Sequence, residues 1–132
     1  MGKTVFALFA GMGLLLLLVP GAGAFECDEA NRGGMLYDVN ASVLKIARGE
    51  SWSKHVFTRT GDLYGVFRDK AEFERHLTKI VNDRGTPTKI FQQKTAYWDE
   101  ASGVVIILDP DRADCGMALR PWEGRDYYDK LE

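Results

Sequence analysis

Two cysteines and two histidines are all that this 132-residue sequence offers to thiol or imidazole chemistry. No C-x-x-C, no zinc-type Cys/His spacing, no G-x-S-x-G and no P-loop occurs, so the motifs of structural zinc, α/β-hydrolases and nucleotide triphosphate binding are missing. A dominant charge is missing too: 17 Lys and Arg stand against 19 Asp and Glu, a balance of −2. That balance gives no global pull toward nucleic acid or anionic membrane. Internal repeats and low-complexity tracts are absent. What is present is ordinary globular material, 45% hydrophobic and 27% charged, which excludes wholesale disorder and suits one domain.

The apolar residues are unevenly spread. Residues 1–24 run from a lone cation, Lys3, through the apolar stretch Val5–Val19 to Pro20 and Ala22-Gly23-Ala24. A charged start, an apolar core and an A-x-A ending are the plan of a cleavable secretory signal peptide. The apolar run is about 15 residues, short of the roughly 20 a spanning helix needs. Pro20 and Gly21 would also break it. Phe25-Glu26 before Cys27 lacks the small residues of a lipid-attachment site. The expected product is a secreted or periplasmic domain of residues 25–132, with no membrane association after cleavage. It carries 16 basic and 19 acidic residues, a balance of −3.

Export bears on the cysteines. Oxidising compartments favour pairing Cys27 with Cys115, which would tie the start of the domain to a late segment. The alternatives are two free thiols or a catalytic cysteine. Neither residue sits in a C-x-x-C or beside a histidine, which favours the bridge.

Periodicity divides the domain. Leu36, Val39, Val43, Ile46 and Ala47 recur at helical spacing over residues 35–48, with Gly49 as a stop. Asp69-Lys70-Ala71-Glu72 is a capping-box type start, followed by Phe73, Leu77, Ile80 and Val81 on one face, with Gly85 and Pro87 ending the run. Beyond it the period changes. Thr88–Trp98 reads as a strand, Asp99–Gly103 as a turn, and Val104–Leu108 as a strand buried on both faces. Asp109–Asp114 turns again, Cys115–Arg120 returns, and the tail around Tyr127-Tyr128 suits either a strand or a helical turn. Helices followed by a small antiparallel meander, with one disulfide, make an α+β fold.

Few residues carry chemistry. His76 borders the core face of the second predicted helix, where a histidine is ordinarily structural. His55 lies between the helices in Ser51-Trp52-Ser53-Lys54-His55-Val56-Phe57-Thr58-Arg59, flanked by cations and hydroxyls. The D-x-D-x-x-D of Asp109, Asp111 and Asp114 lacks the acid or amide and the glycine of a calcium loop and reads as a polar turn, so no metal site is expected. No cofactor motif is present. Lys89, Lys94, Thr95, Arg120 and Arg125 form a scattered basic and hydroxyl set. With 88–98 as one strand, alternation puts Lys94 on the face opposite Lys89 and Thr95.

The order of features in residues 52–131 resembles the barnase/EndoU/colicin D/RelE-like ribonuclease domains of bacterial polymorphic and contact-dependent toxins. A Lys54-His55-Val56-Phe57 segment comes first, then a helix over Asp69–Val81. A strand ending Ala96-Tyr97-Trp98-Asp99 follows, with a Ser102-Gly103 turn and the strand Val104–Leu108. Last comes Asp114-Cys115-Gly116-Met117-Ala118-Leu119-Arg120-Pro121, with Gly124 and Tyr127-Tyr128 behind it. The resemblance implies a metal-independent endoribonuclease without cofactor. His55 would be the general acid/base, Arg120 the phosphate-binding cation, and Tyr127 a stacking or phosphate-holding group. Lys54, Arg59, Lys89 and Thr95 would contact the substrate, and a cognate immunity protein is an expected partner. Two features depart from the pattern. Met117 replaces the expected hydroxyl and can neither donate nor transfer a proton, and the domain is acidic. They motivate the alternative, a non-enzymatic exported binding or immunity-type protein on the same scaffold.

Overall fold

Polar caps and a 3.6-residue apolar stripe decide where this chain becomes helical. The computed structural model describes Cys27 and residues 38–132; the expected signal peptide and residues 35–37 of the first predicted helix lie outside the described residues. Asp38 opens helix α1 (Val39–Arg48) by accepting the N–H of Ala41 at 3.0 Å, and Gly49 closes it as its spacing predicts. Val43, Ile46 and Ala47 are its buried face. Helix α2 (Lys70–Asn82) begins at Asp69, whose carboxylate accepts the Glu72 N–H at 2.8 Å. The Glu72 carboxylate reaches back to the Arg68 N–H at 3.2 Å, one residue beyond the reciprocal bond of a strict capping box. Phe73, Leu77 and Ile80 are buried, each stabilising the fold by roughly 1.5–3 kcal/mol relative to exposure.

Between the helices runs a π-helical turn, Trp52–Phe57, which the periodicity does not announce. Such turns recur at functional positions, and this one carries His55.

The second half is the expected antiparallel meander with one correction. Thr88–Trp98 is not a single strand. It is a hairpin, β1 (Thr88–Phe91) and β2 (Lys94–Asp99), closed by Gln92 and Gln93 at φ 47° and 64°. Two consecutive positive φ values make the mirror-image turn that matches strand twist. Glutamine is not among the residues that usually signal it, and β-forming residues on both sides conceal the break. Strand β3 (Val104–Leu108) is buried at all five positions, and β4 (Gly116–Leu119) completes the order β1-β2-β3-β4. The tail forms a short helix, α3 (Arg125–Asp129).

Alternation gives the sheet two apolar faces. Val104, Ile106, Leu108 and Ala118 meet the α1/α2 layer around Phe73, Leu77, Val56 and Leu63. Ala96, Trp98, Val105 and Ile107 lie on the other face against Tyr128 of α3. The bridge Cys27–Cys115 is formed, both cysteines buried and their Cα atoms 5.3 Å apart, so it pins the chain just ahead of β4. The other side of β4 is held by Ser51, whose buried hydroxyl accepts the Ala118 N–H at 2.9 Å. Among the described residues, no helix is long and apolar enough to cross a membrane.

Candidate functional site

The π-helical turn and the loop after it bring His55 to the end of β4. Gly61 makes this possible. A Cβ built there would sit 2.4 Å from the His55 carbonyl oxygen, so only glycine lets the loop pass this close. Leu63 N–H donates to the same carbonyl at 2.8 Å. The pair of contacts delivers Asp62 to the His55 ring.

Asp62 is the residue that sequence reasoning misses. Its Oδ1 lies 2.8 Å from His55 Nδ1, and its Oδ2 accepts the backbone N–H of Arg120 at 2.8 Å. A carboxylate only accepts, so Nδ1 carries a proton, and it is Nε2 that is left for a ligand. The His55 side chain is 27% exposed and the Asp62 side chain 28%, which leaves the pair within reach of solvent and ligand. Arg120, exposed at the end of β4, keeps the parity of Ala118, which faces the helices. Its aliphatic stem crosses Gly103 in the β2–β3 turn, where an added Cβ would lie 3.5 Å from its Cγ. One carboxylate therefore orients the imidazole and fixes the main chain of the cation.

The turn that carries Gly103 is itself held by the second histidine. His76 Nε2 is 3.0 Å from Ser102 Oγ, and Ser102 Oγ bonds Asp99 Oδ2, which lies 3.7 Å from His76 Nε2. These three residue types make a nucleophilic triad only when the histidine stands between the other two. Here the serine does, its proton on Asp99 and its lone pair on His76, so the cluster ties α2 to the turn. The His76 ring packs on Phe67 with centroids 5.1 Å apart. Burial lowers its pKa below the ordinary histidine value, outweighing the opposing attraction of Asp99.

The remaining candidates disperse. Arg59 is exposed on the His55 segment and, among the described residues, has no ion pair. Lys54 pairs with Glu50 at 3.1 Å. Tyr127 packs on the far face of the sheet, against the cluster around Ala96 and Ile107, away from the layer that holds His55. Met117 packs against the same cluster, so the position that lacks the expected hydroxyl also faces away from His55. The shared face expected for Lys89 and Thr95 is corrected. The hairpin pairs Lys89 with Ala96, and Thr95 alternates with Ala96, so Lys89 lies on the α3 face with Lys94 while Thr95 faces the helices. Lys89 caps α3 there, its Nζ 3.1 Å from the Asp129 carbonyl and 4.9 Å from the Tyr128 ring centre. Two acids of the Asp109–Asp114 turn are engaged by neighbours: Asp109 by Lys94 and the Asp111 N–H, Asp114 by Arg112.

Compared with known family models, curated proteins and solved structures, the chain finds no match.

Proposed function

We propose that this is an exported, disulfide-bonded ribonuclease that cleaves RNA by acid/base transesterification at His55. The observation that carries this reading is the Asp62 carboxylate, which holds the His55 ring through one oxygen and the main chain of Arg120 through the other. His55 Nε2, oriented by this contact, takes the proton of a ribose 2′-hydroxyl as that oxygen attacks phosphorus. Arg120 balances the charge that builds on the phosphorane oxygens. The 5′-oxygen leaves with a proton from solvent water, the His55 imidazolium gives its own back to solvent, and the products are a 2′,3′-cyclic phosphate and a 5′-hydroxyl. Asp62 keeps the imidazole in the tautomer that can act as base and favours the imidazolium once formed. The ordered likeness of residues 52–131 to toxin ribonucleases supports the substrate class. The signal-type leader and the disulfide support export.

The test is RNA cleavage by the oxidised domain in EDTA, wild type against His55→Ala and Asp62→Asn. Cleavage that His55→Ala abolishes and Asp62→Asn weakens supports the reading. Intact tRNA and total RNA after prolonged incubation with the wild type overturn it.

A second reading has one observation in its favour. Ser51 satisfies the outer N–H of Ala118 in β4 and Asp62 that of Arg120 just beyond it, a structural duty that needs no catalysis. On that reading the protein is a non-enzymatic exported binding partner, and stoichiometric capture of a protein that is unaffected by His55→Ala distinguishes it.

A further inference from the structure

A groove of about 630 Å³ begins one residue beyond His55. It runs between the π-helical turn and the Tyr64–Arg68 loop, and its walls are chiefly aromatic: Trp52, Phe57, Tyr64 and Phe67. The floor is anchored in the core. Trp52 and Phe67 both pack at a tilt of 43° against the fully buried Phe73, with ring centres 6.2 and 5.0 Å away. The rim is far less covered. Phe57 touches Trp52 with ring centres 6.5 Å apart yet is 71% exposed, and Tyr64 is 51% exposed, although an aromatic side chain gains stability by burial. Exposed rings gathered on one concavity mark an interaction site rather than chance surface.

The charge of the groove selects its occupant. Its charged lining residues are Arg59 and Arg68, both cationic, in a protein whose overall balance is negative. Arg68 shares its charge with Glu72 at 2.9 Å behind the groove, whereas Arg59 carries its charge without an ion pair among the described residues. Aromatic faces that accept any planar group, set beside a cation, are the pattern of single-stranded polynucleotide binding. In that pattern bases stack and phosphates are neutralised. A duplex keeps its bases stacked inside and has nothing to offer these rings.

We propose that this groove binds a single-stranded polynucleotide, stacking unpaired bases on Phe57 and Tyr64 and seating an adjacent phosphate on Arg59. The inference rests on the ribonuclease reading for the identity of the polymer, since it places the unpaired stretch next to His55. It adds a binding determinant that cleavage chemistry does not require.

The test measures binding apart from cleavage. Short fluorescently labelled DNA oligonucleotides lack the 2′-hydroxyl and cannot be cut by transesterification, so their anisotropy titration with the oxidised protein reports the groove alone. A single-stranded oligonucleotide should bind, and an abasic strand of equal charge or a duplex should bind at least about tenfold more weakly, since stacking contributes about 1–3 kcal/mol per base. Phe57→Ala and Tyr64→Ala should each weaken binding about 5- to 100-fold while leaving the melting temperature near wild type, and His55→Ala should leave binding intact. Arg59→Ala should lower the dependence of log Kd on log salt by about one. Equal binding of abasic and normal strands, or indifference to both aromatic substitutions, overturns the proposal. So does an acidic peptide that competes as well as the oligonucleotide. Stacking-dependent binding without RNA cleavage defeats the ribonuclease reading and leaves the groove standing. Cleavage that ignores Phe57 and Tyr64 does the reverse.

Discussion

Arg120 donates its backbone N–H to Asp62 at 2.8 Å across 58 residues of sequence, and the same carboxylate holds His55 through its other oxygen. The acid thus links the loop after the π-helical turn to the end of the sheet. Removing it affects stability as well as chemistry.

Asp62→Ala should destabilise the domain by about 1–3 kcal/mol, because two donors lose an ionised acceptor in a half-buried place. Asp62→Asn, which retains one acceptor oxygen, should fall between Ala and wild type. Thermal melts of the three proteins give the order directly. Identical melting temperatures would mean that water replaces the carboxylate and that its two contacts hold nothing in place.

Gly61→Ala places a methyl group against the His55 carbonyl, a backbone atom that cannot rotate away. The loop must shift, at an expected cost of about 1–3 kcal/mol. Because Asp62 is the next residue, the same change should move the His55 imidazole signals in an NMR spectrum. A variant with wild-type denaturant midpoint and unmoved imidazole signals contradicts this packing.

The lowered pKa of His76 sets a direction for stability against pH. The unfolded chain, with an ordinary histidine pKa of about 6.5, binds the proton more readily than the folded one. The contribution of neutral His76 is therefore complete above about pH 6.5 and is lost progressively as pH falls from there toward the lower folded value. Melting temperatures of wild type and His76→Gln, followed from pH 8 to 5, should converge as the wild type loses this advantage. Parallel curves would remove His76 as the cause.

The Cys27–Cys115 bridge closes an 88-residue separation, which in the chain-entropy model is worth about 4–5 kcal/mol. Unreduced protein should show no titratable thiol even in denaturant, and reduction should release two. The reduced protein should unfold at a markedly lower denaturant concentration. Thiols that titrate before reduction would contradict the bridge.

Much of this architecture is legible in the sequence because its signals are local. Helix α2 carries its own cap in Asp69 and its own stripe in Phe73, Leu77 and Ile80. Strand β3 is five β-forming apolar residues in a row. The β1–β2 turn is hidden because Gln92 and Gln93 adopt positive φ without the asparagine or glycine that announces it. That hidden turn is also why Lys89 and Thr95 separate. His55 stands out by its neighbours, but Asp62 does not: its two partners lie 7 and 58 residues away in irregular chain, where no period marks them. The groove is illegible for a related reason. Nothing local to Phe57 or Tyr64 marks that the fold leaves these aromatic side chains outside.

Ser51 and Asp62 have a consequence beyond the site. With the outward N–H groups of Ala118 and Arg120 already taken, a strand arriving beyond β4 would find these two donors occupied. That edge of the sheet is therefore a poorer template for another chain, which hinders growth by strand pairing along it.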